Sequence, residues 1–325
     1  MDNKELQTPQ SPRDEKQLTL NTLRYSLIQL SLQASLFKSA IPDPKGHALL
    51  PFLAKLGSRY DFKYHGSEFV FLNFSRIENT PRGQYYIGRL AKKTKKPIGE
   101  ISTNNDVRQR HVDSWVAIWI MFEVDHQYIL TENNHEFGDI NHVSNVLKFI
   151  LSEFSQQTYD HTVIIEPVLM ENSFWELVAS AEKIYRIRLA FVSPNIFGAE
   201  AESKKWLDSV KRLFNQEKAV ITISNSRGKL VADRQHLTGP MKYIENGEGA
   251  WEVRARGPNQ RKAVTHKSEN HIEKVTMKIP QPATPTEQPA APADTSPPSE
   301  PQNKEHVHAL VYSHVAQLIA KRHGY

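Results

Sequence analysis

Val163-Ile164-Ile165-Glu166-Pro167-Val168-Leu169-Met170 is an apolar run rich in β-branched residues, of a length that suits a buried strand. Residues 184–192 (IYRIRLAFV) alternate at their start and turn wholly apolar at their end, as a strand does on entering a core. Residues 218–224 (KAVITIS) read as a third strand. Between the first two, Asn172 or Ser173 can cap a short helix carrying Phe174, Trp175, Leu177 and Val178 on one side. Between the last two, residues 200–214 set Trp206, Leu207, Val210, Leu213 and Phe214 at helical spacing. Strand, helix, strand, helix, strand implies an α/β organisation, and the chain is read outward from it.

Toward the N-terminus the pattern becomes β. Phe69-Val70-Phe71-Leu72-Asn73-Phe74 is aromatic and β-branched, residues 84–90 (QYYIGRL) alternate, and residues 115–124 (WVAIWIMFEV) form the most hydrophobic run. Residues 127–131 should pair back on that run across a tight Asp125-His126 turn. Asp139 is placed to cap a helix over 140–157, in which Val143, Val146, Leu147, Ile150, Leu151 and Phe154 make an apolar stripe. Residues 23–32 read as a strand, and residues 48–56 as a short helix ended by Gly57.

Past Ser224 the chain turns at Asn225-Ser226-Arg227-Gly228 and resumes over 229–232. Residues 251–256 alternate as a solvent-facing edge strand does, and residues 257–271 are polar enough for a mobile loop. A tract of Pro, Ala, Thr and Ser then precedes a last helix over 304–322, with Val307, Leu310, Val311, Val315, Leu318 and Ile319 on one face. An isolated helix of that length is marginal in water, so it should dock. An intramolecular cap seldom needs so long a lead, which favours a second copy or a protein partner as the surface it covers.

The expected fold class is α/β (α+β). It has an antiparallel β-rich N-terminal half with a covering helix (18–160) and a ferredoxin-like or similar α/β C-terminal half (161–279). A disordered N-terminus (1–17), a Pro-rich linker (280–303) and the tethered helix (304–325) complete it.

At 325 residues and 39% hydrophobic the chain can bury a core in one large domain or two small ones. It has no cysteine, which excludes disulfides and thiolate metal sites and points to the cytoplasm. No apolar run is long enough for a membrane span. A net charge of +5 mildly favours an anionic partner.

Two basic groups carry the functional expectation. Lys92, Lys93, Lys95 and Lys96, flanked by Arg89, Arg108 and Arg110, form a run with no acid between Glu78 and Glu100, read as a hairpin tip able to straddle phosphates. The bland reading is an edge strand kept soluble by lysines. The second group is Arg254, Arg256, Arg261, Lys262, Lys267 and Lys274, with Asn259, Gln260 and Asn270 supplying amides. A nucleic acid, DNA first, is the expected partner, and the two groups should share one side of the molecule to grip it.

Metal and cofactor are not expected. Fourteen histidines invite a metal, but His306 and His308 lie two apart, on different faces of a helix, and His135-Glu136 lacks zincin spacing. No P-loop, Gly-x-Gly-x-x-Gly or Gly-x-Ser-x-Gly occurs. The alternative readings are an enzyme of a defence system, such as a metal-dependent nuclease, whose acids include Glu123, Glu166 and Glu171, or a pure protein-interaction module that uses the last helix. Glu166, at a strand end, would need a cation such as Arg186 or Arg188 beside it to stay ionised if buried.

The run from Val163 to Met170, the apolar strand at Leu189 to Val192, and Gly228-Lys229-Leu230 with Leu237, Gly239 and Pro240 resemble the corresponding succession in the RexA-type phage-exclusion proteins. The front half, with its Trp-rich strand running into Phe122, Asp125 and His126, resembles an uncharacterised domain of prophage and mobile-element proteins. The resemblance implies a DNA-associated cytoplasmic protein of phage defence or abortive infection. It carries over no catalytic residue.

Overall fold

The computed structural model describes residues 15–29, 39–77, 83–101, 107–192, 218–280 and 301–323, and every structural statement refers to these. The chain is of the α+β class. Its strands form two antiparallel sheets, the larger ordered β12-β1-β6-β5-β4-β3-β2 with β7 also on β1, and the smaller ordered β11-β10-β8-β9. The large sheet is built from β1 (Glu15–Gln29), β2 (Tyr60–Tyr64), β3 (Ser67–Arg76), β4 (Tyr85–Ile101), β5 (Val107–Glu123), β6 (Tyr128–Glu132), β7 (His161–Pro167) and β12 (Lys274–Pro280).

Period-two alternation gives this sheet two apolar faces. Leu23, Tyr25 and Leu27 of β1 point to one core, with Phe69 and Phe71 of β3. Helix α1 (Leu50–Lys55) and the stripe Val143, Val146, Leu147, Ile150 and Leu151 of α2 (Ile140–Tyr159) cover that face. Asp139 caps α2 by accepting from the His142 N–H at 2.8 Å. Leu18 and Leu20 of the same β1 point the other way, with Tyr85, Ile87, Met121 and Leu130. Helix α5 (Pro301–His323) closes this second face with Val311, Val315 and Ile319, one residue per turn.

Helix α5 therefore docks on its own chain, which corrects the expected preference for a second copy or partner. Tyr312 meets Tyr85 edge-on at 4.9 Å between ring centroids. Arg322, 3% exposed, donates to Leu169 O at 2.7 Å, Glu245 O at 3.2 Å, Asn246 Oδ1 at 3.3 Å and Glu273 Oε2 at 3.3 Å. The reason lies in β12, which pairs with β1 at the border of the bare apolar face. Greasy surface beside the tether competes at high effective concentration with any outside partner. Val307 and Leu310 fall where no side chain is described.

The second sheet comprises β8 (Lys183–Val192), β9 (Lys218–Ser224), β10 (Gly249–Arg256) and β11 (Val264–Lys267). Ile187, Leu189, Phe191, Trp251 and Val253 bury one face against α3 (Ser173–Ser180) and α4 (Arg234–Tyr243). Strand β10 is central, not the expected solvent-facing edge, and the expected mobile loop contains β11. The predicted helix over 200–214 lies outside the described residues.

Strand β7, read from sequence as the first strand of the second half, belongs to the large sheet. It runs antiparallel to β1 from His161 opposite Gln29 to Pro167 opposite Leu23. Strand β12 runs the same way from Lys274 opposite Asn21 to Pro280 opposite Glu15. The two are successive pieces of one line of strand interrupted opposite Thr22, which donates its N–H toward Glu273 O and accepts from Val168 N–H. Residues 168–273, with the second sheet, leave from that gap and return to it.

The gap is pinned by charge. Arg24 Nη1 lies 2.9 Å from Glu248 Oε1, with side chains 1% and 2% exposed, and the guanidinium lies over the Tyr128 ring. A β-carbon on Gly247 would come within 2.8 Å of Arg24 Cβ, and φ is +81° there, so the close approach of the two units requires glycine. Among the described residues no helix is long and apolar enough to cross a membrane.

Candidate nucleic-acid interface

Strands β4 and β5 pair along their whole length, from Tyr85 opposite Glu123 to Ile101 opposite Val107. Strand β3 accompanies β4 only between Tyr86 and Lys92, and β6 accompanies β5 only from Ile120 to Glu123. From Lys93 opposite Trp115 outward each strand has only the other. That arm is about 30 Å long at ~3.4 Å per residue. Lys92 to Lys96 were expected at a hairpin tip. They lie instead at the arm's base, because the alternation that makes β4 continues straight through the lysines.

Alternation also splits the run between the two faces of the ribbon. Lys92 and Lys96 point to the α2 side, where Lys92 Nζ lies 3.3 Å from Phe137 O and Lys96 Nζ lies 2.9 Å from Glu136 Oε2. Arg89, Lys93 and Lys95 share the opposite face. Arg89 lies over the Trp119 ring at 4.5 Å. Lys93 Nζ lies 3.0 Å from Asp113 and 3.5 Å from Glu68, and the hydrogen bond with Asp113 holds its ammonium above the usual lysine range. Lys95 is exposed. The run that looked free of acid in the chain is thus matched in space by Glu68, Asp113 and Glu136. Arg110 is exposed on the outer arm, and Arg108 stands two residues before it in β5. Among the arm's described side chains, Ile98, Val112 and Trp115 are large, apolar and exposed.

The second basic group lies on and beside the small sheet. Arg254 is exposed on β10, directly opposite Arg186 of β8, while Arg188 faces Glu252. These side chains share the face turned away from the apolar core. Arg186 Nη2 makes a short ion pair with Glu252 Oε1. Arg256 pairs with Glu182 at 2.8 Å, Lys267 with Glu269 at 3.2 Å, and Arg261 and Lys262 are exposed in the turn before β11. Reading the sequence assigned Arg186 and Arg188 only to neutralising Glu166. Lys218 does that instead, 2.7 Å from Glu166. The overlooked signal was the IYRIRLAFV alternation itself, which places both arginines on the side opposite Ile187 and Leu189.

Contacts around the start of α2 bring the two groups near each other. Lys92 approaches His142 Nε2 at 3.4 Å, and Asn141 donates to Glu269 Oε2 at 3.1 Å. A cavity of about 210 Å³ opens at this junction, lined by Asn141, Glu166, Arg188, Glu252 and Lys267 among others. Burial first, and then the Lys92 ammonium, push the His142 imidazole below its usual range.

The acids named for an enzymatic alternative are spread out. Glu123 is fully buried at the end of β5 and holds His126, accepting from its backbone N–H at 2.8 Å and facing Nδ1 at 3.1 Å. That hydrogen bond raises the His126 pKa against the opposing effect of burial. His47 and Asp125 make a second imidazole–carboxylate contact at 2.6 Å beside it. Glu166 pairs with Lys218, and Glu171 lies 3.4 Å from Lys321. Among the described residues no three His, Asp or Glu side chains converge as a metal site requires. No protein-family model and no curated protein sequence matches this chain.

Proposed function

We propose that the protein binds nucleic acid, with the β4–β5 arm entering a groove of duplex DNA and the arginines of the small sheet resting on the flanking backbone. The arm carries this reading. A two-stranded ribbon fits the major groove, which is about 12 Å wide. Along its length the arm bears Lys93, Lys95, Lys96, Arg108 and Arg110 against Asp113 and Glu100. Exposed Ile98 and Val112 add apolar side chains able to contact thymine methyl groups in that groove. The exposed Arg188 and Arg254 support it, because they share the face of the small sheet turned away from the core, where a phosphate backbone can reach both. Phage exclusion in the cytoplasm, as the RexA-type resemblance implies, is the setting proposed with it.

The test is a titration with duplex DNA across salt concentrations. Replacing Lys95, Lys96 and Arg110 with Ala should weaken binding to unrelated sequences alike and flatten the salt slope by about one unit per lost phosphate contact. An unchanged slope removes the arm from the interface.

A further inference from the structure

A second cavity, of about 530 Å³, opens between α3, α4 and the end of α5. Helical backbone continues past α4 as far as the kink at Gly247, so Arg234, Thr238, Met241 and Glu245 fall at i, i+4, i+7 and i+11. They make one stripe, and all four line the cavity. Met241 reaches from this stripe into the hydrophobic core, whereas Arg234 and Thr238 remain at the surface of the cavity.

The walls differ in chemistry. On one, the Arg234 guanidinium lies over the Trp175 indole, 5.3 Å from the ring centroid, and Lys242 stands two turns along the same helix. A guanidinium held over a ring still has N–H groups to offer a phosphate. On the other, Glu245 is 8% exposed, and its Oε1 accepts from the Asn172 N–H at 2.9 Å. Arg322 closes the floor, and its buried Nε–H has no hydrogen-bond partner. The ligand that fits is anionic at one end, offers N–H donors at the other, and has a flat ring between them. A polyanion is repelled by Glu245 and Glu171. A free amino acid fills only part of the volume and leaves the indole unused.

We propose that this cavity binds a nucleotide, its phosphate at Arg234 and Lys242, its base along Trp175, and an exocyclic amine donated to Glu245. The site is separate from the arm and does not depend on it. Because Arg322 and Lys321 belong to the last turns of α5, an occupied cavity also holds that helix down.

The experiment is calorimetric titration of the full chain with the four nucleoside monophosphates, adenosine and inorganic phosphate, alongside quenching of tryptophan fluorescence. At least one monophosphate should bind more tightly than either adenosine or phosphate. Arg234→Ala and Trp175→Ala should each weaken it by about tenfold or more, equivalent to about 1.4 kcal/mol, while Lys95→Ala with Lys96→Ala leaves it unchanged. Arg234 is exposed, so Arg234→Ala keeps the fold even if Trp175→Ala does not. Equal binding of phosphate and nucleotide overturns the proposal in favour of a simple anion site. Failure of every monophosphate to bind overturns it outright, without touching the proposal for the arm.

Discussion

The arginines at the seam between the two units and the cations of the arm are the same chemistry in opposite surroundings. Arg24 and Arg322 are nearly inaccessible and meet acceptors from segments far apart in sequence. Lys95 and Arg110 are exposed. A buried charge whose partner is removed leaves an uncompensated ion in low dielectric, whereas an exposed one is screened by water and salt. Stability should therefore depend on the first pair and binding on the second.

Arg24→Ala is the hardest test of that division. It strands Glu248 and should lower unfolding free energy by about 3–5 kcal/mol, whereas joint replacement by Arg24→Met and Glu248→Leu should restore most of it; denaturant melts of the three variants decide. Arg322→Ala removes four hydrogen bonds to backbone and side-chain oxygens. It should cost about 1.5–3 kcal/mol and expose α5 to protease before the rest of the chain. A cut pattern identical to the unmodified protein would show that Arg322 is not what seats the helix.

His126 gives a smaller, pH-dependent effect. Its folded pKa is raised by Glu123 above the ordinary histidine value of 6.5, so the folded state holds the proton more tightly than the unfolded chain. The stabilisation is fully present below that ordinary value and is lost as pH rises through the raised one. His126→Ala should flatten the fall of melting temperature over that window, and an unchanged profile would assign the fall to another group. The smallest effect belongs to the arm. Lys95→Ala, Lys96→Ala and Arg110→Ala should each move stability by no more than about 0.5 kcal/mol, and a larger loss would mean that these cations hold the fold together.

Much of the fold could be read from the chain because alternation is local. The strands at β3, β8 and β9, the β5–β6 hairpin and α2 with its Asp139 cap all follow from residues within a few positions of one another. Helix α4 did not, since Gly239 and Pro240 inside it speak for a loop. Nor did the place of β10: alternating apolar and polar residues describe a one-sided strand, and whether a second strand covers its edge depends on Val264 to Lys267, which look like loop. The site was less legible still. The lysines of β4 could be counted in sequence, but Glu68, Asp113 and Glu136 reach them through the fold.

The interruption of the strand opposite Thr22 sets the order in which the molecule can assemble. Thr19 and Thr276, whose hydroxyls lie 3.4 Å apart, are 257 residues apart in the chain. Pairing over such separation is slow, since chain entropy is lost before contacts form. The Glu273 N–H, however, donates to Val168 O at 2.8 Å, so residues 168–273, once folded, present their two ends side by side. The long loop then behaves as a short clip, and β12 is delivered to the edge of β1 already aligned. In synthesis from the ribosome β12 and α5 follow the second sheet, and the second apolar face of the large sheet stays open until they arrive.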